Sequence, residues 1–151
     1  MPSLLRLAEQ YGAPYFLYDE SVIAAQWRLL RDALPDFDIL YSIKTNPHLD
    51  VCRCMRVLGA SADAASAGEV QKALAVGFAP RDILFSAPGK SDAALAFGMQ
   101  SSVVIADSYG ELERLDALAA EAGRIVDVGL RINPDMSFSP GAWPEVHPGV
   151  A

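Results

Sequence analysis

The sequence predicts an α/β fold built as part of a (β/α)8 barrel, about five βα units long. Three observations carry that expectation. Short apolar or β-branched runs recur about every 20 to 25 residues, each followed by a turn, an amphipathic stretch and a stop, which is the rhythm of a parallel sheet. Three of the runs have one apolar side and one small or polar side, whereas parallel strands covered by helices on both faces are apolar throughout. Their polar sides carry Lys44, Asp63 and Arg131 toward the carboxyl ends, where the sites of barrels lie. The length of 151 residues pulls the other way. Five strands in that length also suit a doubly wound, flavodoxin-like sheet, while a whole barrel usually needs about 250 residues.

Taken in order, Ser3 to Gly12 and Asp19 to Leu34 read as helices, with Trp27 a packing residue on the second and Tyr15 to Tyr18 a short strand between them. In the run Asp38 to Ile43, Leu40, Ser42 and Lys44 share one side while Ile39, Tyr41 and Ile43 share the other. Asn46-Pro47 places an N-cap before a proline at the first helical position, and Gly59 ends that helix. Ser61 to Ala64 is the next strand, with Ser61, Asp63 and Ala65 on one side. Ser66-Ala67-Gly68-Glu69 is a capping box closed by Gly77. Strands at Ile83 to Ser86 and Val103 to Ala106 follow, then a second capping box, Ser108-Tyr109-Gly110-Glu111, with Gly123 as its stop. In the last run, Val126 to Ile132, Asp127, Gly129 and Arg131 oppose Val128, Leu130 and Ile132. From Asp135 to Ala151, with Pro140, Pro144 and Pro148, neither signal is present.

Composition narrows the function classes. A hydrophobic fraction of 52% against 21% charged residues describes a globular chain rather than a disordered one. The net charge of −7 repels phosphate backbones and argues against nucleic acid as a partner. No apolar run approaches the roughly 18 residues of a membrane span, and Arg6 and Glu9 interrupt any signal-peptide core. Cys52 and Cys54 cannot make a disulfide framework, so a reducing cytoplasm is the expected location. As i and i+2 on a helix they point apart, and His48 and His147 stand far from any ligand cluster, so no metal site is expected. Gly68 and Gly89 could cradle a phosphate, but no dinucleotide or Walker pattern surrounds them, and Lys90 reads as a solvated loop residue.

Lys44 is the sharpest chemical feature. It follows Ile43 at a strand end and precedes Thr45-Asn46-Pro47. A lysine held among apolar walls has its ammonium form disfavoured, and the free amine suits Schiff-base chemistry. The plain alternative is a strand-end lysine that reaches to water.

The stretch Tyr41-Ser42-Ile43-Lys44-Thr45-Asn46 resembles the cofactor-lysine motif of the fold-type III pyridoxal-phosphate decarboxylases. These act on diaminopimelate, ornithine and arginine, and their barrel is alanine-racemase-like. The likeness continues in order through Gly59 to Glu69, Ile83 to Lys90, the Asp107-Ser108 pair and Leu130 to Asp135, with Asn133-Pro134-Asp135 similar to the diaminopimelate branch. It implies that Lys44 holds pyridoxal 5'-phosphate as a Schiff base, and that Ser42, Asp63, Glu69 and Arg131 lie around the cofactor. Asp63 could equally cap a helix, Glu69 could act only within its capping box, and Arg131 could form a rim salt bridge. The resemblance further implies decarboxylation of an amino acid, most simply diaminopimelate or a related diamino acid, and a homodimer in the intact enzyme. The family's His-x-Gly-Ser element, glycine-rich phosphate loop and C-terminal β domain are not found in the sequence. Residues 1–151 are therefore expected to be the N-terminal portion of the barrel domain, inactive alone, with two raw sheet edges that favour poor solubility or partner pairing. An alanine-racemase-like isomerase and a non-catalytic pyridoxal-phosphate carrier share the same scaffold and stay open.

Overall fold

A computed structural model describes residues 4–133. The expectations for Asp135 to Ala151 and for His147 lie outside the described residues. Two helices, α1 (Leu4–Tyr11) and α2 (Glu20–Ala33), precede the repeating part. There follow β1 (Leu40–Ser42), a 3-10 turn (Ile43–Thr45), α3 (Leu49–Val57), β2 (Ser61–Ala64) and α4 (Ala67–Ala75). A second 3-10 turn (Pro80–Asp82) leads to β3 (Ile83–Phe85), α5 (Asp92–Ser101), β4 (Val103–Ala106), α6 (Tyr109–Glu121) and β5 (Val128–Leu130).

Sheet order decides between the two architectures. The strands lie side by side as β1-β2-β3-β4-β5, every pair parallel. A doubly wound sheet reverses its strand order at a switch point so that helices cover both faces. Here the order never reverses, and one face is buried while the other stays half-exposed, alternately along β2 and β4. That is the winding of a barrel wall, so the flavodoxin-like alternative falls.

The buried face is the helix side. Ala62, Ala64, Ile83, Phe85, Val104 and Ala106 pack there against Val70 and Ala73 of α4, Leu95 of α5 and Leu115 of α6. Each large apolar side chain buried this way contributes about 1.5–3 kcal/mol. Small residues set the spacing. A Cβ on Gly98 of α5 would lie 2.9 Å from Phe85 Cδ1 and 3.0 Å from Val104 Cγ2, so glycine lets that helix sit directly on the sheet. No capping box or glycine stop announces α5, and its start rests on Ser91, whose hydroxyl accepts from the Ala94 N–H at 3.3 Å. The expected stops do take left-handed backbone: Gly59 (φ 93°), Gly77 (φ 94°) and Gly123 (φ 60°).

Three expectations need correction. Tyr15 to Tyr18 is not a strand among the described residues: no ladder partner lies beside it, and Phe16 is 92% exposed. An extended run becomes a strand only when its N–H and C=O groups find a neighbour. Asn46 does not cap α3. Its carbonyl, which an N-cap gives to the first helical hydrogen bond, is taken by the Tyr41 hydroxyl at 3.0 Å. The helix begins two residues later, with the His48 ring nitrogen accepting from the Asp50 N–H at 3.3 Å. In the last run only Val128 packs on the core; Leu130 and Ile132 are exposed, because no described helix covers that edge. Trp27, by contrast, is buried as expected.

Candidate active site

The carboxyl ends of the five strands gather the polar residues. Lys44 sits there, but not in the strand. After Ser42 the chain leaves its ladder and turns through Ile43–Thr45, so the side-by-side pattern of Leu40, Ser42 and Lys44 ends at Ser42. The turn is pinned on three sides. Ile43 is completely buried. The Thr45 hydroxyl donates to the Ser42 carbonyl at 2.7 Å, and the Tyr41 hydroxyl donates to the Asn46 carbonyl. Burial pushes the Tyr41 phenol pKa up, which keeps that donor protonated. Lys44 itself is exposed, so the described residues do not supply the apolar walls expected around it. Among them no hydrogen bond or ion pair engages its ammonium group.

Asp63 lies one strand away, directly opposite Ser42 in the ladder. Both carboxylate oxygens are engaged: the Ser42 hydroxyl donates to Oδ2 at 3.1 Å and the Ser86 hydroxyl donates to Oδ1 at 2.5 Å. Asp63 is thus fixed from the strands on either side and does not cap a helix. Ser86 was not singled out by the sequence. Its signal was available, since it follows β3 at the same rim where Ser42 and Asp63 stand.

Arg131 follows β5. Its N–H donates to the Ala106 carbonyl at 2.9 Å, and its guanidinium lies 3.5 Å from Asp107 Oδ1. The rim salt bridge therefore exists, and half of the Arg131 side chain remains exposed. Glu69 points elsewhere. It accepts from the Ala65 N–H at 2.8 Å while its own N–H donates to Ser66 Oγ at 3.2 Å, a capping box that reaches one residue further back than the usual pattern. The structure brings Ser42 and Asp63 together, sets Lys44 two residues beyond them, and leaves Glu69 in its cap.

Lys90 corrects another expectation. It is not solvated: it is 4% exposed and folds under the loop to meet Glu111, itself 2% exposed. Its Nζ donates to Glu111 Oε2 at 3.0 Å. Burial pushes the Glu111 carboxyl up. Hydrogen bonds from the Asp107 and Lys90 N–H groups and the Lys90 ammonium outweigh it and hold the pKa below the usual value. A carboxyl lowered on folding adds stability above its unfolded pKa and loses it as pH falls through the folded one. Thermal midpoints should therefore decline on acidification below about pH 4.5, and Glu111→Gln should flatten that decline. Equal acid slopes for parent and variant would refute this.

Comparison with known proteins fits this geometry. The model of the family described as "Pyridoxal-dependent decarboxylase, pyridoxal binding domain" matches residues 20–144. The chain belongs to this family. It is 36% identical over 135 residues to an L-glutamyl-[BtrI acyl-carrier protein] decarboxylase from Niallia circulans, covering 87% of this chain and 32% of that protein. It is 34% identical over 137 residues to the diaminopimelate decarboxylase of Vibrio cholerae, covering 88% and 33% respectively. Among solved structures it matches diaminopimelate decarboxylase from Helicobacter pylori complexed with L-lysine. That likeness has a TM-score of 0.79 and 27% identity, covering 88% of this chain and 35% of that one. The chain spans about a third of the length of the pyridoxal-dependent decarboxylases it matches. Among the described residues that share amounts to four βα units and a fifth strand. Among the described residues no helix is long and apolar enough to cross a membrane.

Proposed function

We propose that residues 1–151 are the N-terminal portion of the barrel domain of a pyridoxal-phosphate-dependent amino-acid decarboxylase, and that Lys44 carries the cofactor. The observation that supports this most directly is an unclaimed primary amine on a pinned turn, two residues after a serine that helps hold a carboxylate, at the carboxyl ends of a singly wound sheet. That donor set fits an aldehyde cofactor. Pyridoxal phosphate, when bound, supplies the aldehyde that captures amines and the ring that takes up the electron pair left by departing carbon dioxide.

The remaining work falls to the chain. Ile43, Thr45 and Tyr41 hold the turn that carries Lys44, which fixes the point from which the amine reaches the cofactor. Once a substrate amine takes its place, Lys44 is free to hold or return a proton at Nζ. Asp63, clamped by Ser42 and Ser86, offers a fixed negative charge at the same rim. Arg131 offers a cation for the acidic oxygens of cofactor or substrate. Glu69 orients the start of α4 below Asp63. The reading includes a small amino-acid substrate, a homodimeric whole enzyme and a cytoplasmic location; free thiols at Cys52 and Cys54 suit the last.

Diaminopimelate or a related diamino acid is the substrate class proposed first, on the likeness to diaminopimelate decarboxylases. A carrier-linked amino acid is the second, because one relative at 36% identity bears such a name. The enzyme encoded by the reading frame that contains this chain should release carbon dioxide from one member of a panel. The panel comprises meso-diaminopimelate, lysine, ornithine, arginine and carrier-linked glutamate. Racemised product without carbon dioxide would replace decarboxylation by an isomerase. Silence toward the whole panel with cofactor bound would leave a carrier.

A further inference from the structure

The mechanism makes no use of the most deeply buried ion pair among the described residues. The side chains of Lys90 and Glu111 are 1% and 2% exposed. Such a pair returns little net stability, because desolvating two charges offsets their attraction. Capping does not explain the lysine either. Glu69 caps α4 from the same helical position and forms no ion pair among the described residues.

What the pair grips is main chain on both sides of Ala106. Lys90 Nζ donates to the Ile105 carbonyl at 2.7 Å, and Glu111 Oε2 accepts from the Asp107 N–H at 3.1 Å. The Lys90 N–H donates to Glu111 Oε1 at 2.7 Å, tying the loop after β3 into the same knot, and the Phe85 ring centroid lies 5.4 Å from the ammonium. The segment so held is the one that holds Arg131. The Ala106 carbonyl accepts the Arg131 N–H, and the Asp107 carboxylate faces the guanidinium.

We propose that Lys90 and Glu111 are positioning residues for Arg131: the buried pair sets the backbone from Ile105 to Asp107 and through it aims the guanidinium at the mouth of the sheet. There the guanidinium meets an anionic oxygen, a phosphate of the cofactor or a carboxylate of the substrate. The inference rests on the assignment of Lys44 and Arg131 proposed above. A stiff mount matters because a displacement of about 1 Å can lower a rate roughly 10²-fold.

The test uses the holoenzyme with K90M/E111Q, R131A and the triple combination. K90M/E111Q removes both charges together and keeps a side-chain carbonyl for the Asp107 N–H, so it avoids the orphaned charge that a single truncation leaves. Cofactor Kd or substrate KM should rise about tenfold or more. In the R131A background the same pair of changes should add no more than about twofold. A higher cofactor Kd supports the proposal with phosphate as the ligand of Arg131; a higher KM alone supports it with a substrate carboxylate. If the double variant does not fold, K90M alone, which leaves both Glu111 oxygens accepting from the main-chain N–H groups at positions 90 and 107, gives the same comparison. Parent-like Kd and KM would overturn the proposal, as would losses that simply multiply with those of R131A. Failure of the underlying assignment would show separately, as no borohydride-fixed cofactor on Lys44 of the parent, and would remove this inference with it.

Discussion

Lys44→Ala should abolish borohydride-fixed labelling by pyridoxal phosphate and lower decarboxylation at least about 10²–10⁴-fold, the range set by loss of one positioned proton-transfer group. The chain has three lysines, and their surroundings separate them. Lys72 lies in the last turn of α4, at the end of the barrel wall opposite the strand carboxyl ends. Lys90 is sealed against Glu111 and Ile105. Lys44 alone stands at the mouth with its amine unclaimed among the described residues. The substitution should leave folding intact, because the contacts that pin the turn come from Ile43, Thr45 and Tyr41 and not from the lysine side chain. A stability change within about 0.5 kcal/mol is expected for an exposed side chain. Lys44→Arg should not rescue, since a guanidinium stays protonated and is no nucleophile. Peptide mapping that finds the reduced adduct on Lys72 or Lys90 would defeat the assignment.

Phe85→Ala should destabilise the fold by about 3–5 kcal/mol, the cost of removing a buried aromatic ring that its neighbours cannot collapse to replace. Phe85 is 1% exposed and lies on the central strand of the five. Its ring meets the place where Gly98 brings α5 closest to the sheet, and it lies beside the Lys90 ammonium. The cavity would open between α5 and β3, next to a buried charge that has also lost its aromatic neighbour. A domain is typically stable by only about 5–15 kcal/mol, so this one change removes a large share. Urea unfolding should show a lower midpoint at unchanged slope. Phe85→Leu, closer in volume, should cost less than about 1.5 kcal/mol. A Phe85→Ala loss below about 1 kcal/mol would mean that the core does not centre on β3.

How legible the molecule was depends on the range of the interaction. The capping boxes at Ser66 and Ser108 were readable because cap and third residue sit on one turn, and both form. The motif around Lys44 was readable because its neighbours in sequence are also its neighbours in the turn. The exposure of the lysine was not, since the walls around a side chain come from other segments. The helix at Asp92–Ser101 was missed because its only strong start signal is Ser91 and its C-terminus lacks a glycine. Asn46 misled for a related reason: its carbonyl bonds the Tyr41 hydroxyl, and the first helical bond goes instead to the His48 carbonyl, from Cys52 N–H.

By itself the sequence determined the alternation of strands and helices, the two capping boxes, and the face that β2 turns to the helices. These follow from side-chain period and hydrogen bonds within about four residues, which the local chain specifies alone. Only the tertiary structure decided that the strands lie in unreversed order, that Ser42 and Ser86 clamp Asp63 from both sides, and that Lys90 turns inward to Glu111. Those partners stand 21 to 23 residues apart in the chain. They meet because strand register, set by burial of one whole face, brings the strand ends to a common rim.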